Sequence, residues 1–236
     1  MSVAYIHSEK IHNLASPKVI VPLIQKIVNP TSVLDVGCGI GTWLKVFFDN
    51  GVADILGVDG DYVDFAKLKI PRDNFLAFDL RNELVINRRF DLVISLEVAE
   101  HLPEKSADQF ISSLVRHADT ILFSAAIPGQ GGQLHLNEQW PDYWQRKFAH
   151  HGLYCHDILR MQIWDNKDVD WWYKQNMFLV SKTPNFSRIP SLVHPDCFVH
   201  NREMAESRIA SIYSGKLSLK NALRVLSATL INKFQK

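Results

Sequence analysis

Between residues 31 and 49 the chain passes from a short β-branched run, through three alternating glycines, into a segment with helical periodicity. The first part reads Val33-Leu34-Asp35-Val36-Gly37-Cys38-Gly39-Ile40-Gly41, and Trp43, Leu44, Phe47 and Phe48 then share one helical face. Strand, glycine turn and helix in that order commit the segment to an α/β unit. Glycine lets the backbone approach a ligand closely, and the unpaired N–H groups at the helix start favour acceptor groups. The spacing Gly37-x-Gly39-x-Gly41 differs from the G-x-G-x-x-G of dinucleotide enzymes, so the glycines alone leave the ligand open and can equally be turn formers. Asp59 narrows the choice. It stands about 20 residues beyond the turn, at the end of the next apolar run, where a carboxylate can accept both hydroxyls of a ribose.

The rest of the chain extends this unit. Ile55, Leu56 and Val58 make a second strand ending at Asp59-Gly60, and 74–78 make a third ending at Asp79. Residues 90–96 are apolar on both faces, as a central parallel strand is, and 120–126 form a fifth strand. Helical spacing over 17–28 and 103–116 supplies a lead-in and a return crossover. Strands alternating with helices predict a doubly wound sheet that binds ligands at the carboxyl ends of its strands, where Gly37, Asp59, Asp79, Glu97 and Pro128 all fall. Beyond Pro128, a glycine loop and the aromatic-rich stretches 137–150 and 164–173 are expected to form the acceptor side, an insertion over 128–175. Residues 176–181 give a last strand, and Pro184, Pro190 and Pro195 mark the end of the sheet. The expected division is a domain over 1–184, its first 30 residues a helical lead-in, and a helical tail over 185–236. That tail packs either on the body or on a second copy of the chain as a homodimer.

Composition bounds the partners. A formal net charge of +1, from 26 basic and 25 acidic residues, provides no overall field for nucleic acid or an anionic membrane. No stretch approaches the roughly 18 apolar residues of a membrane span, and His7, Glu9, Lys10, His12 and Asn13 interrupt any leader-like run. Cys38, Cys155 and Cys197 are too scattered for a disulfide framework or a zinc pattern, which fits a reducing cytoplasm. With no base-flipping motif and no basic stripe, nucleic acid is not expected as a substrate.

Four stretches in order match one family. Val33 to Gly41 resembles the first motif of class I S-adenosylmethionine-dependent methyltransferases, Gly57-Val58-Asp59 their ribose-binding acid, and Phe78-Asp79-Leu80 their adenine-contact motif. Phe90-Asp91-Leu92-Val93-Ile94-Ser95-Leu96-Glu97-Val98-Ala99-Glu100-His101-Leu102 resembles the fourth motif and its loop. The resemblance implies a Rossmann-like, mostly parallel seven-stranded sheet with helices on both faces. It also implies S-adenosylmethionine as cofactor and S-adenosylhomocysteine as product. Gly37 and Gly39, with Asp35 and Cys38 in the same turn, would face the methionine part. Asp59, with Gly60, would take the ribose, Asp79, with Leu80, the adenine amino group, and the backbone near Leu96 and Glu97 the methionine amine. Read without the resemblance, Asp79 is equally a helix cap and Cys38 a small loop residue lacking a basic partner.

Methyl transfer to an alcohol is an in-line displacement that needs an aligned hydroxyl and a group to take its proton. Histidine titrates near neutrality and suits that task. His135, in Gly131-Gly132-Gln133-Leu134-His135-Leu136-Asn137-Glu138, is the first candidate, with Asn137 on the same side of an extended segment; His101 is the second. His101 can instead hold Glu97 or Glu100, and the nearby aromatics can be plain core. A metal would recruit Glu97, Glu100 and Glu138, but without an Asp-rich loop a metal-independent base is expected. The segment from Pro128 to Trp144, with Trp171-Trp172-Tyr173-x-Gln175-Asn176 and Val193-His194-Pro195, resembles methyltransferases of bacteria and large DNA viruses associated with surface-polysaccharide assembly. That implies a glycan O-methyltransferase, with rhamnose among its sugars. The Glu97–Leu102 loop also resembles enzymes methylating quinone-like metabolites, and a non-catalytic binding module in a glycan-synthesis complex is the reading of a different class.

Overall fold

The computed structural model describes Ser8, residues 11–214, Lys216 and residues 218–234. His7, Glu9, Lys10 and Leu217, on which parts of the sequence reading rest, lie outside the described residues, as do the side chains of Leu230 and Ile231.

Helix α1 (Ala15–Val28) ends where Asn29 takes a left-handed conformation before Pro30. Strand β1 (Ser32–Val36) runs into the glycine turn and α2 (Thr42–Asp49), and β2 (Asp54–Asp59) follows beside it. β3 (Phe75–Ala77), β4 (Leu92–Leu96), α3 (Ala107–His117) and β5 (Ile121–Ser124) continue the winding. Then come α4 (Pro141–His150), β6 (Tyr154–His156), α5 (Arg160–Ile163), α6 (Trp171–Asn176) and β7 (Phe178–Ser181). The sheet has seven strands in the order β3-β2-β1-β4-β5-β7-β6. Its first five strands pair in parallel, and β7 lies antiparallel between β5 and β6. This is the mostly parallel, Rossmann-like sheet that the sequence predicts. The order reverses at β1, whose neighbours are β2 and β4, so a crevice opens beyond the carboxyl ends of β1 and β4.

Strand alternation divides the core in two. Leu34 and Val36 of β1 face a cluster with Phe110, Ile111 and Leu114 of α3 and Trp144 and Phe148 of α4. Val33 faces the other way, with Ile20 and Ile24 of α1 and Leu44 and Phe47 of α2. Each such fully buried side chain contributes about 1.5–3 kcal/mol. The two layers thereby clamp β1 and fix the turn at its end.

Several elements depart from the sequence reading. Flanking β3, the crossovers are single 3-10 turns at Phe65–Lys67 and Arg72–Asn74 and an irregular stretch over 78–91. Side chains hold this region in place of helix bonds: Asn74 Nδ2 donates to Ile55 O at 2.7 Å, and Arg72 Nη1 to Phe75 O at 2.9 Å. The helix expected from Pro103 enters through a 3-10 turn at Glu104–Ser106, after an extended Pro103 at ψ 142°, and becomes α-helical at Ala107. β6 was not anticipated, since three residues are too short to show a period. The first compact unit also passes the expected boundary at residue 184 and runs to His194. Gln145 Nε2 donates to Ser187 O, Arg160 Nη2 to Pro190 O, and His194 N to Gln175 Oε1, tying 185–194 to the body. The second unit, from Pro195 onward, contains α7 (Pro195–Tyr213) and α8 (Leu219–Phe234). Among the described residues, no helix is long and apolar enough to cross a membrane.

Candidate active site

The turn after β1 is tied to β2. Gly37 N and Cys38 N both donate to Val58 O, at 2.7 and 3.1 Å. Gly37 has φ +88°, and a Cβ there would come within 2.3 Å of Val98 Cγ2, so only glycine fits. The Cys38 thiol lies against Gly57 and burial pushes its pKa well above the ordinary range, which makes it a packing group and a poor nucleophile.

Asp59, at the end of β2, is buried and orients the turn. Its Oδ2 accepts Gly39 N at 2.7 Å, while Oδ1 accepts Gly60 N and the Tyr62 hydroxyl, each at 2.6 Å. The Tyr62 ring covers Gly60, where a Cβ would meet it at 2.1 Å. Asp35 is buried one strand away, and its Oδ2 has no hydrogen-bond partner. Burial, reinforced by the Asp59 charge, pushes the Asp35 carboxyl well above the usual carboxylate range. An orphaned buried carboxyl oxygen beside the glycine turn fits a polar ligand such as the amino-acid part of S-adenosylmethionine. Asp79 is half-exposed and its oxygens engage Arg81 Nε and Nη2, with a further bond from Arg81 N. The Arg81 guanidinium holds Asp79 below the usual carboxylate range. No helix follows Asp79 directly, so it caps none; its carboxylate closes a local turn on Arg81, and Leu80 beside it is buried.

The loop after β4 carries the second half of the site. Leu96 is buried, and Glu97 adopts φ +55°, a left-handed conformation in a non-glycine residue, with its N–H donating to Ser124. Glu97 accepts Asn176 Nδ2 at 3.0 and 3.1 Å and Gln130 Nε2 at 3.0 Å. Burial outweighs those hydrogen bonds and pushes its carboxyl up to about 7. Glu100 is 0% exposed, and neither carboxyl oxygen has a hydrogen-bond partner; burial first, then the neighbouring Glu97, pushes its pKa well up.

His101 and His135 meet edge to face with ring centroids 4.8 Å apart. Burial, and then His135, pushes His101 down to about 4. The His135 arm is stapled to the β4 loop, because Leu136 N and Asn137 N both donate to Glu100 O, at 2.7 and 3.0 Å. Along the arm His135 and Asn137 turn inward, while Leu134, Leu136 and Trp140 are exposed, Leu136 by 64%. Leu134 has φ +62°, a strained setting costing about 1–2 kcal/mol that aims the arm. Asn137 Oδ1 accepts Gln139 Nε2 at 2.9 Å, while its buried Nδ2 has no hydrogen-bond partner. His135 Nδ1 instead meets Glu138 Oε1 at 2.8 Å, and Glu138 also accepts Gly129 N and Gly131 N.

Sequence reasoning missed several of these partners. Gln130 Oε1 accepts Gln175 Nε2 and Asn176 Nδ2, so a buried amide network joins the glycine loop, the end of α6 and Glu97. Its only signal was a polar Gln175-Asn176 pair set directly before an apolar strand. Among the aromatics Trp144 is core, against Phe123, whereas Trp171 and Trp172 pack on each other and are partly exposed. A hollow of about 420 Å³ lined by Asp142, Gln145, Arg146 and Phe186 includes none of the residues predicted for the site.

A methyltransferase-domain family model matches residues 8–178. The chain belongs to the methyltransferase domain family. It is an S-adenosylmethionine-dependent methyltransferase. Over 80 residues this methyltransferase is 36% identical to the ubiquinone biosynthesis O-methyltransferase of Rhodopseudomonas palustris (strain TIE-1), covering 32% of the chain. The chain spans only 31% of that relative's length. Its fold is similar to that of CalS10, an amino pentose methyltransferase from Micromonospora echinaspora (TM-score 0.58, 14% identity, 78% of this chain and 100% of that one). It is also similar to the glycopeptide N-methyltransferase MtfA in complex with S-adenosylmethionine (TM-score 0.52, 14% identity, 71% and 92%).

Proposed function

We propose that this methyltransferase moves a methyl group from S-adenosylmethionine to a hydroxyl of a sugar in a glycan. The carrying observation is one continuous contact path: Val98 covers Gly37 of the cofactor turn, and three residues on His101 touches His135. Cofactor and acceptor sides are therefore neighbours. Asp59 would hold the ribose, with the exposed Tyr62 hydroxyl yielding its bond to a sugar hydroxyl of the cofactor. Gly37, Gly39, Asp35 and the backbone at Leu96 and Glu97 would take the methionine part, and Asp79 with Leu80 the adenine.

Bound S-adenosylmethionine supplies an electrophilic methyl. The acceptor oxygen forms the new C–O bond as the C–S bond breaks and its electron pair stays on sulfur, giving S-adenosylhomocysteine. The oxygen must lose its proton, and His135 is the residue proposed to act on that hydroxyl. Glu138 on Nδ1 fixes the tautomer that leaves Nε2 with its lone pair. Leu134, Leu136 and Trp140 offer an apolar rim on which the faces of a sugar ring can rest. The sugar-methyltransferase neighbour supports that acceptor class, and the buried Cys38, Cys155 and Cys197, none of them in a disulfide, suit a cytoplasmic setting. The similarity to a ubiquinone-pathway enzyme favours a second reading, a quinone-like aromatic acceptor. Leu219, Leu223 and Leu226 form an exposed stripe on α8 and support association of two copies through the tail.

Methyl-labelled cofactor offered with rhamnose-containing oligosaccharides or with quinol precursors separates the two acceptors. Label is expected on the oligosaccharides. Label on the quinols alone would replace the sugar by the aromatic acceptor.

A further inference from the structure

We propose that Glu100, His101 and His135 form a binding site for a divalent first-row cation on the acceptor side of the cofactor turn. The inference rests on the methyltransferase reading and adds an ion for the acceptor to the metal-free chemistry of the cofactor.

Three observations carry it. Each residue offers one ligand atom, and the three atoms lie within 4.8 Å of one another. Ligands about 2.1 Å from one ion stand about 3 to 4.2 Å apart, so the cluster is close to a coordination sphere before any ion enters. Secondly, the Glu100 carboxyl is fully buried with both oxygens unpartnered, which a protein rarely tolerates unless something meets them. Its own carbonyl anchors the His135 arm through Leu136 N and Asn137 N, so backbone bonds hold carboxylate and imidazole together. Thirdly, His135 has the outer partner typical of a metal-bound histidine: Glu138 on Nδ1, itself held by Gly129 N and Gly131 N. Glu97 is excluded from the set, because its oxygens are taken up by Asn176 and Gln130.

Two imidazoles and a carboxylate suit Mn²⁺, Fe²⁺ or Zn²⁺ better than Ca²⁺, and leave open positions on a six-coordinate ion. Two adjacent positions match two neighbouring hydroxyls, which selects a vicinal diol on the acceptor sugar. With the ion in place His135 is a ligand and not the base. The ion then makes the coordinated hydroxyl more acidic, its proton passes to water, and the alkoxide takes the methyl as the C–S bond breaks.

The test uses the full chain stripped of metal. Titration with Mn²⁺, read as loss of the free-ion paramagnetic signal, runs beside calorimetry with S-adenosylhomocysteine. Stoichiometric Mn²⁺ binding is expected, weakened at least roughly 10-fold in both Glu100→Gln and, on the exposed arm, His135→Ala, with S-adenosylhomocysteine affinity retained. No Mn²⁺ binding by a chain that still binds S-adenosylhomocysteine, or Mn²⁺ binding undiminished from wild type in either variant, overturns the ion site and leaves the methyltransferase reading standing. Failure of S-adenosylhomocysteine to bind at all is the separate result that strikes that reading.

Discussion

At the scale of single residues, the proposed cofactor recognition concentrates on Asp59. It orients Gly39 and Gly60 from within the fold while presenting an oxygen toward the exposed Tyr62 hydroxyl. Losing hydrogen bonds to a charged group costs about 1.5–3 kcal/mol each, so Asp59→Ala is expected to weaken S-adenosylhomocysteine binding by roughly 10- to 150-fold in calorimetry. An unchanged dissociation constant would remove Asp59 from the site. Asp59 was legible because the acid must follow the glycine turn at a fixed interval and end a strand. Glu138 and Gln130 were not legible as hydrogen-bonding partners: Glu138 meets Gly129, Gly131 and His135 across a loop that turns at Leu134 (φ +62°), and Gln130 meets Glu97, Gln175 and Asn176 from elements distant in sequence. Asp79 shows the limit differently: a favoured N-cap residue stands where no helix follows, and only the structure shows both of its oxygens on Arg81.

Elements with a full period were legible, and short ones were not. β1, α2, β2 and β4 fall where their apolar patterns place them, since each buries a defined face. Phe47 illustrates the energetics: fully buried between α1 and the sheet, its replacement by Ala is expected to cost about 3–5 kcal/mol in chemical denaturation. The irregular stretch over 78–91 is held by contacts that no local pattern announces. His117, the last residue of α3, accepts Ile86 N at Nε2 (2.9 Å), so its Nδ1–H donates to Ser113 O (2.6 Å). Burial holds its pKa below the ordinary histidine value. The unfolded chain protonates His117 near pH 6.5, while the folded chain resists until lower pH. In that window the unfolded state binds more protons, so stability falls as pH drops from about 6.5 toward the lowered folded value. Thermal melts across that range should show a flatter pH dependence for His117→Gln than for wild type; parallel curves would refute the role.

For the whole molecule, a topological reversal at β1 gathers residues distant in sequence at one sheet edge. The parallel winding of β1 to β5 was foreseeable from the alternation of strands and helices, whereas the antiparallel place of β7 between β5 and β6 is visible only in the structure. The second unit offers Leu219 at 77% exposure and Leu223 and Leu226 at 56% along one stripe of α8. If two copies associate there, sedimentation should give a dimer that Leu223→Glu with Leu226→Glu converts to monomer; an unchanged mass in the variant rules that stripe out as the association face.

The central claim is that a cofactor turn governed by Asp59 and an acceptor arm carrying His135 are separate parts of one methyltransferase site. Calorimetry of S-adenosylhomocysteine against wild type, Asp59→Ala and His135→Ala tests it most directly. Wild type and His135→Ala should bind alike, although His135→Ala has lost roughly 100-fold or more of turnover, while Asp59→Ala binds weakly. Loss of binding in His135→Ala, or undiminished binding in Asp59→Ala, would contradict that division of the site.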